Sequence, residues 1–136
     1  MNVKLIVFIS CLSTASSVFA NTVLSCPEPE SITVINHTYS SYNLAGNWIG
    51  LASPGNRGEV LSFKEALIYD FQPLKLQKCT YNLDNKGLVD LFLDENRDRA
   101  ISITQYQSQW QRVSGAWYDS FECRTQAGDC QFEFSE

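Results

Sequence analysis

Apolar and polar residues alternate with a period of two along most of this chain after its first twenty residues. Ile101 and Ile103 occupy alternate positions, and so do Cys130, Phe132 and Phe134 near the end. This period turns successive side chains to opposite faces of a β-strand. The alternating stretches are short, and turn-forming residues separate them about every eight to twelve residues. The pattern predicts a mainly β fold, which is a curled antiparallel sheet, a sandwich or a small barrel.

One predicted strand changes phase within its length. Leu74 and Leu76 share one parity, whereas Cys79 and Tyr81 share the other. A regular strand cannot turn both pairs towards one core, so we expect a bulge or bend near Lys78.

Two other regions give simpler expectations. Residues 59–63 predict a strand, and residues 66–71 continue the extended pattern, with Leu67, Tyr69 and Phe71 at alternate positions. The continuous apolar run at 88–93 predicts a strand that is buried on both faces.

A short helix is expected near the start of the folded region. The stretch Pro27-Glu28-Pro29-Glu30-Ser31-Ile32 combines early prolines with acidic residues. Both suit the first turn of a helix, where backbone donors are free and the dipole is positive. We expect one short N-terminal helix or 3₁₀ segment over residues 28–34.

The first twenty residues have the three parts of an export signal. Lys4 provides the charged start, residues 5–19 form an apolar to neutral segment, and Val18-Phe19-Ala20 supplies a cleavage site. The middle segment falls short of the ~20 apolar residues that span a bilayer. We expect a signal peptide at 1–20 and a single domain at 21–136, which resides in the periplasm or is secreted.

The net charge narrows the classes of partner. The chain has 10 basic and 15 acidic side chains and a formal charge of −5. An acidic surface without a basic cluster is unfavourable for nucleic acid and for anionic lipid. We expect no nucleic-acid partner and no membrane association after signal cleavage.

The cysteines after the signal form an even set, Cys26, Cys79, Cys123 and Cys130. In an exported chain this predicts two disulfides, and lipid attachment at Cys26 would leave one thiol without a partner. If Cys123 and Cys130 face each other across an antiparallel hairpin, Phe121 lies opposite Phe132 on the same face. That agreement favours the pairs Cys123–Cys130 and Cys26–Cys79. In the alternative, the two late cysteines pair separately with Cys26 and Cys79.

Residues suited to catalysis or metal binding are sparse. His37 is the only histidine and lies in a polar connector, which leaves no triad and no His/Cys metal set. The run Asp94-x-Asn96-x-Asp98 begins like a calcium loop, but later positions lack the required Gly and Glu. A small hydrolase remains an alternative because paired carboxylates can come from distant strands. The candidates are Glu59, Glu65, Asp90 and Asp119. We expect no enzyme activity, no cofactor and no metal.

The aromatic residues give the best indication of a binding surface. Tyr106 and Trp110 share a parity and stand among four glutamines at 105, 107, 109 and 111. Rings beside amide side chains suit sugar or peptide recognition if this stretch is a strand. In the alternative, the two rings cover one end of the core. Trp117 is assigned to a separate apolar stripe with Val113, Phe121 and Cys123.

The stretch Leu44-Ala45-Gly46-Asn47-Trp48 resembles the opening of calycin barrels such as lipocalins and avidins. This resemblance implies a barrel with a ligand inside it and makes Trp48 a third possible binding residue. Without a second motif, the sequence favours Trp48 as a core indole on an early strand.

A second resemblance covers nearly the whole chain after the signal. Its parts occur in the order Cys26-Pro27-x-Pro29-x-x-Ile32, Trp48-Ile49-Gly50, Phe63-x-x-Ala66, Cys79-Thr80-Tyr81, Cys123 and Cys130-Gln131-Phe132. The pattern is similar to a family of small exported domains of unknown function from Gram-negative bacteria, some released by type II secretion. Members usually end in Cys-Pro-Phe, where this chain has Cys-Gln-Phe. The resemblance implies a periplasmic or secreted β-rich domain and supplies no activity and no site residues.

The sequence therefore predicts an exported, disulfide-bonded β domain that acts by binding a protein, a peptide or a glycan. We expect it to be a monomer. A calycin-like carrier or secreted protease inhibitor is the first alternative, and a small hydrolase is the second.

The export signal generates the first testable prediction. The mature protein should begin at Asn21 and carry no acyl group on Cys26, because Ala20 ends the cleavage site. The intact mass of the purified protein measures both features. A lipid mass on Cys26, or retention of residues 1–20, would contradict the prediction.

Overall fold

The computed structural model describes residues 22–52 and 57–135. The predicted signal peptide at 1–20 lies outside the described residues. Within them the chain forms ten β-strands and three short 3₁₀ helices. The strands are β1 (Thr33–Ile35), β2 (Thr38–Asn43), β3 (Gly46–Leu51), β4 (Val60–Tyr69), β5 (Lys75–Leu83), β6 (Leu88–Leu93), β7 (Ile101–Ser102), β8 (Gln111–Val113), β9 (Ser120–Cys123) and β10 (Glu133–Phe134). The 3₁₀ helices span Pro29–Ser31, Thr104–Gln109 and Ala127–Asp129.

Eight strands form one antiparallel sheet in the order β1-β2-β3-β6-β5-β4-β9-β8, and β7 pairs with β10 separately. The sheet is not closed, so β1 and β8 remain at its edges. The prediction of a mainly β, antiparallel fold is confirmed. The open sheet is unlike the closed barrel that the calycin resemblance implied.

The hairpin of β4 and β5 occupies the middle of the sheet and contains the predicted change of phase. Leu67 pairs with Lys78, whereas the next residue, Ile68, pairs with Leu76. Gln77 is therefore the extra residue of a β-bulge. The bulge lets Leu76 and Cys79 both face the core, and both are buried. The expected bulge next to Lys78 is confirmed.

The extended pattern over 59–63 and 66–71 forms one strand, β4, whose pairing with β5 shifts in register. Its inward residues are Ala66 and Ile68, so Leu67 and Tyr69 lie on the outer face. The expectation that 88–93 is buried on both faces was wrong. In β6 only alternate residues are buried, because the sheet is covered on one face there.

The N-terminal helix is shorter than expected. It covers Pro29–Ser31, because Thr33–Ile35 extends and pairs with β2 instead of continuing the turn. The backbone N–H of Ile32 closes the helix by donating to the Pro29 carbonyl at 3.2 Å.

The core lies between one face of the sheet and the two chain ends. Leu24 in the N-terminal segment and Phe132 in the C-terminal segment exchange two backbone hydrogen bonds of 2.9 Å. Both side chains are buried in one cluster with Trp48 and Tyr81 of the sheet. The segments around Leu24 and Phe132 thus act as the second layer of a two-layer domain.

Both predicted disulfides are present. Cys26–Cys79 joins the N-terminal segment to β5, and Cys123–Cys130 closes a loop after β9. The hairpin that favoured the second pair is absent, because β9 already pairs with β4 on one side and with β8 on the other. Phe121 lies opposite Ile68, not opposite Phe132. The predicted connectivity is therefore right, although its structural reason was wrong.

Two buried tyrosines attach loops to the sheet through their hydroxyl groups. Tyr81 donates to the Pro27 carbonyl at 2.5 Å, and Tyr39 donates to the Gly58 carbonyl. Burial, followed by the negative charge of Glu28, raises the pKa of Tyr81 far above its ordinary value. Burial, followed by Asp84, raises the pKa of Tyr39 in the same direction. Both hydroxyls therefore remain neutral donors at all physiological pH values.

The two disulfides should differ in their contribution to stability. Replacing Cys26 and Cys79 by Ala should lower the free energy of unfolding by about 4 kcal/mol, against about 2.5 kcal/mol for Cys123 and Cys130. The reason is that the first bond joins residues 53 apart in sequence and the second joins residues 7 apart, while all four cysteines are equally buried. Urea unfolding of the two double variants measures the order, and equal losses would contradict it.

Tyr81→Phe should destabilise the protein by about 1–3 kcal/mol at neutral pH, because the Pro27 carbonyl loses its buried donor. A tyrosine whose folded pKa is raised contributes its full stability below the unfolded pKa of about 10 and loses it above that pH. The deficit of Tyr81→Phe should therefore shrink at about pH 10.5. Urea unfolding at both pH values tests this. Tyr42→Phe, at an exposed residue, is the control and should leave the free energy of unfolding unchanged at both pH values. A deficit that stays constant with pH would contradict the assignment.

Candidate functional site

The glutamine-rich stretch is helical and not the strand that we expected. Thr104–Gln109 is a kinked 3₁₀ helix with a non-helical backbone at Tyr106. Tyr106 and Trp110 therefore do not share a strand face, because a period of two does not apply to a helix. Trp110, which follows the end of the helix, is buried in the core cluster at 6% exposure, and half-buried Tyr106 packs against that cluster. Both rings therefore cover part of the core, as the alternative interpretation predicted.

Hydrogen bonds to the C-terminal segment fix the position of Trp110. Its indole Nε1 donates to the Gln131 carbonyl at 2.8 Å. The amide of Gln109 contacts the same residue twice, donating to Gln131 Oε1 at 2.6 Å and accepting from its backbone N–H at 3.0 Å. The indole thus has one hydrogen bond to Gln131, which Gln109 holds in place, and the indole ring forms a wall.

That wall belongs to a cleft of about 590 Å³, which we name the Trp110 cleft. Its apolar floor consists of Leu74, Ile101, Ile103, Trp110 and Phe121. Its polar rim consists of Gln72, Ser102, Thr104, Gln107 and Arg112. The volume, the apolar floor and the few polar groups at the edge are typical of small-ligand sites.

Among the described residues that line the cleft, Arg112 alone is charged, and two carboxylates bind it. Its Nη2 donates to Asp70 Oδ2 and to Asp119 Oδ2, each at 2.9 Å. The guanidinium also lies 6.0 Å from the centroid of the Phe121 ring on the floor. With two carboxylates on one guanidinium, this end of the cleft has no net positive charge for an anion. The rim therefore suits a neutral ligand better than an acidic one.

Three exposed aromatic residues and one half-buried tyrosine lie close to the cleft, and they were not predicted as a group from the sequence. We name Tyr69, Phe71, Trp117 and Tyr118 the aromatic surface. Trp117 is 94% exposed, so the single apolar stripe predicted with Val113, Phe121 and Cys123 was wrong for this residue. Trp117 lies in the loop between β8 and β9, where strand parity does not continue. The glycine and small residues at 114–116 are the signal that indicates such a loop.

Two tyrosines of the aromatic surface interact directly. The rings of Tyr69 and Tyr118 meet edge to face, with centroids 4.5 Å apart. Hydrogen bonding with the Tyr118 side chain, then burial and the nearby charge of Asp90, raise the pKa of Tyr69. Tyr69 is therefore a neutral ring, and its edge-to-face contact with Tyr118 is an arrangement that aromatic pairs prefer.

Trp48, the third predicted binding residue, lies far along the sheet from Trp110. Its side chain is only 1% exposed, and its Nε1 donates to Asn43 Oδ1 at 2.9 Å. It borders a depression of about 510 Å³ with the hydroxyl groups of β1 and β2. Several of these hydroxyls bind one another, such as Ser31 with Ser41 at 2.8 Å. The structure does not bring Trp48, Tyr106 and Trp110 into one site.

The four carboxylates considered for a hydrolase lie at different places. Asp90 accepts from Thr80 at 2.6 Å and from Lys78 at 3.2 Å, and Glu65 binds Arg124 at 3.2 Å. Asp119 binds Arg112 together with Asp70, and we name these three residues the Arg112 group. Glu59 lies at the start of β4, where its backbone N–H donates to Asp84. The structure does not assemble these four residues into one cleft.

His37 is exposed in the turn between β1 and β2, where Asn36 and His37 both have positive φ. Over 22–52 and 57–135, no group of three His, Cys, Asp or Glu side chains is placed to hold a metal ion. The described part of the chain also has no helix that is long and apolar enough to cross a membrane.

Comparison with known proteins gives a family without an activity. A family model described as "Protein of unknown function (DUF3757)" matches residues 19–133. No curated protein matches the chain, and neither does any solved structure.

Proposed function

The chain belongs to the DUF3757 family of proteins of unknown function, and we propose that it is an exported, non-enzymatic domain that holds a neutral ligand in the Trp110 cleft. The observation that carries this proposal is the cleft itself, which combines an apolar floor with a polar rim. Such a site binds by covering the apolar face of a ligand while a few side chains orient its polar edge.

The two disulfides support export. Structural disulfides persist in oxidising compartments, which include the periplasm and the medium, and are rare in the cytosol. The signal at 1–20 and the resemblance to domains released by type II secretion agree with this location. In this proposal the protein is a monomer that binds its ligand, a peptide or a glycan fragment, outside the cytoplasm.

Side chains on the rim define the ligand. Gln72 and Gln107 offer both donors and acceptors, and Ser102 and Thr104 add hydroxyl groups. Arg112 is engaged by Asp70 and Asp119, so a carboxylate or phosphate on the ligand would face two negative groups. The complementary molecule is uncharged, has one flat apolar face and has hydrogen-bonding groups along one edge.

Binding is tested by thermal shift and calorimetry with a panel of disaccharides, nucleosides and neutral aromatic dipeptides. The matched variants are Gln107→Phe and Gln105→Phe. Both residues are exposed on the same 3₁₀ helix, but only Gln107 lines the cleft. We expect Gln107→Phe to weaken binding by at least about tenfold, because a ring fills the rim, while Gln105→Phe binds normally.

The non-enzymatic part of the proposal is tested on the same samples. The bound molecule should be recovered with its mass unchanged after prolonged incubation with the protein. Conversion of the ligand would contradict this part. Binding that is equal in the two phenylalanine variants, or no binding across the panel, would contradict the assignment of the cleft.

A further inference from the structure

The aromatic surface is distinct from the Trp110 cleft and exposes an unusual set of rings. Trp117 is 94% exposed, Phe71 is 54% exposed and Tyr118 is 43% exposed. Single exposed apolar residues are common on proteins, but adjoining exposed rings mark interaction sites. Here Phe71 and Tyr118 lie 5.6 Å apart between centroids, and Tyr69 lies within 6.0 Å of both.

The loop that carries Trp117 and Tyr118 is held in place by its backbone. A Cβ on Gly115 would lie 2.2 Å from the Tyr118 carbonyl oxygen, so only glycine permits this close turn. At the base of the loop, the backbone N–H of Asp70 donates to the Asp119 carbonyl at 2.9 Å. The loop backbone is thus constrained before any ligand binds, which lowers the entropy cost of binding.

A depression of about 310 Å³ adjoins the rings, and its polar side chains are balanced in charge. Tyr69 and Phe71 line it together with Gln72, Lys75, Gln77 and Asp98. One cation, one anion and two amides give donors and acceptors without net charge. The electrostatic complement of such a rim is a neutral molecule with many hydroxyl groups.

We propose that the aromatic surface binds a neutral polysaccharide chain. The C–H face of a sugar ring packs on an aromatic plane, and the hydroxyl groups at its edge bind amide and charged side chains. An acidic polymer is disfavoured because the whole chain has a formal charge of −5. The same charge disfavours an anionic membrane surface as the occupant.

The experiment measures retention of the purified, oxidised protein on insoluble cellulose and chitin and its mobility in gels containing soluble neutral glucans. The test variants are Trp117→Ala and Tyr118→Ala. The matched control is Tyr42→Ala, because Tyr42 is 76% exposed and lies on β2, away from the aromatic surface. Thermal melting of each variant confirms that folding is retained.

We expect binding to at least one of these polysaccharides, a loss of about tenfold in affinity for each test variant, and no change for Tyr42→Ala. Failure to bind any of them would overturn the proposal. Equal binding by Trp117→Ala and the unmodified protein would do the same. Neutral lipid vesicles are run in parallel, and Trp117-dependent binding to vesicles in place of polysaccharide would also overturn it.

Discussion

The bulged pairing of β4 with β5 is the constraint on which the rest of the structure depends. The extra residue, Gln77, reverses the parity of β5 between Leu76 and Cys79, so that both face the core. Without that reversal one of them would face solvent, because successive residues of a strand point to opposite sides. The bulge thus places Cys79 where it meets Cys26 across the core.

The positions of the N-terminal and C-terminal segments depend on the Cys26–Cys79 disulfide. The bond to Cys26 holds the N-terminal segment against the sheet, where Tyr81 binds the Pro27 carbonyl. Leu24 in the same segment then exchanges backbone hydrogen bonds with Phe132 and thereby fixes the C-terminal segment. Gln131, next to Phe132, is the residue that holds the Trp110 indole. The wall of the cleft is therefore connected to the centre of the sheet through one disulfide and two short sets of hydrogen bonds.

The sequence predicted those features that depend on local periodicity or on covalent chemistry. The spacing of residue types along the chain is enough to predict the mainly β fold, the phase change near Lys78 and the two disulfides. The predicted hairpin at Cys123 and Cys130 was wrong because the sequence does not show which strands pair with β9. In the structure β4 pairs with one edge of β9 and β8 pairs with the other. A bond between residues 7 apart needs only a loop, and the chain forms a 3₁₀ turn at Ala127–Asp129.

The candidate sites were harder to predict because they depend on where strands stop. Trp110 was identified by its residue type, and it lines the cleft, but its neighbours Gln72, Leu74 and Phe121 come from distant segments. Tyr106 was grouped with Trp110 on a period of two that fails in a 3₁₀ helix. Trp117 was placed in one stripe with Phe121 because the strand parity of Phe121 was extended into a loop, where no parity applies.

The Arg112 group joins the two proposed sites physically. Arg112 forms part of the cleft rim, while the carboxylates that it binds belong to Asp70 and Asp119. Asp70 lies between Tyr69 and Phe71 in the sequence, and Asp119 directly follows Tyr118. The same ion pairs therefore fix one edge of the cleft and the base of the aromatic loop. Both hydrogen bonds come from the same nitrogen, Nη2, so Arg112 links the two segments at a single point. In this arrangement the charge of Arg112 is used to position two segments, which explains why a charged residue borders a cleft whose other rim groups are neutral.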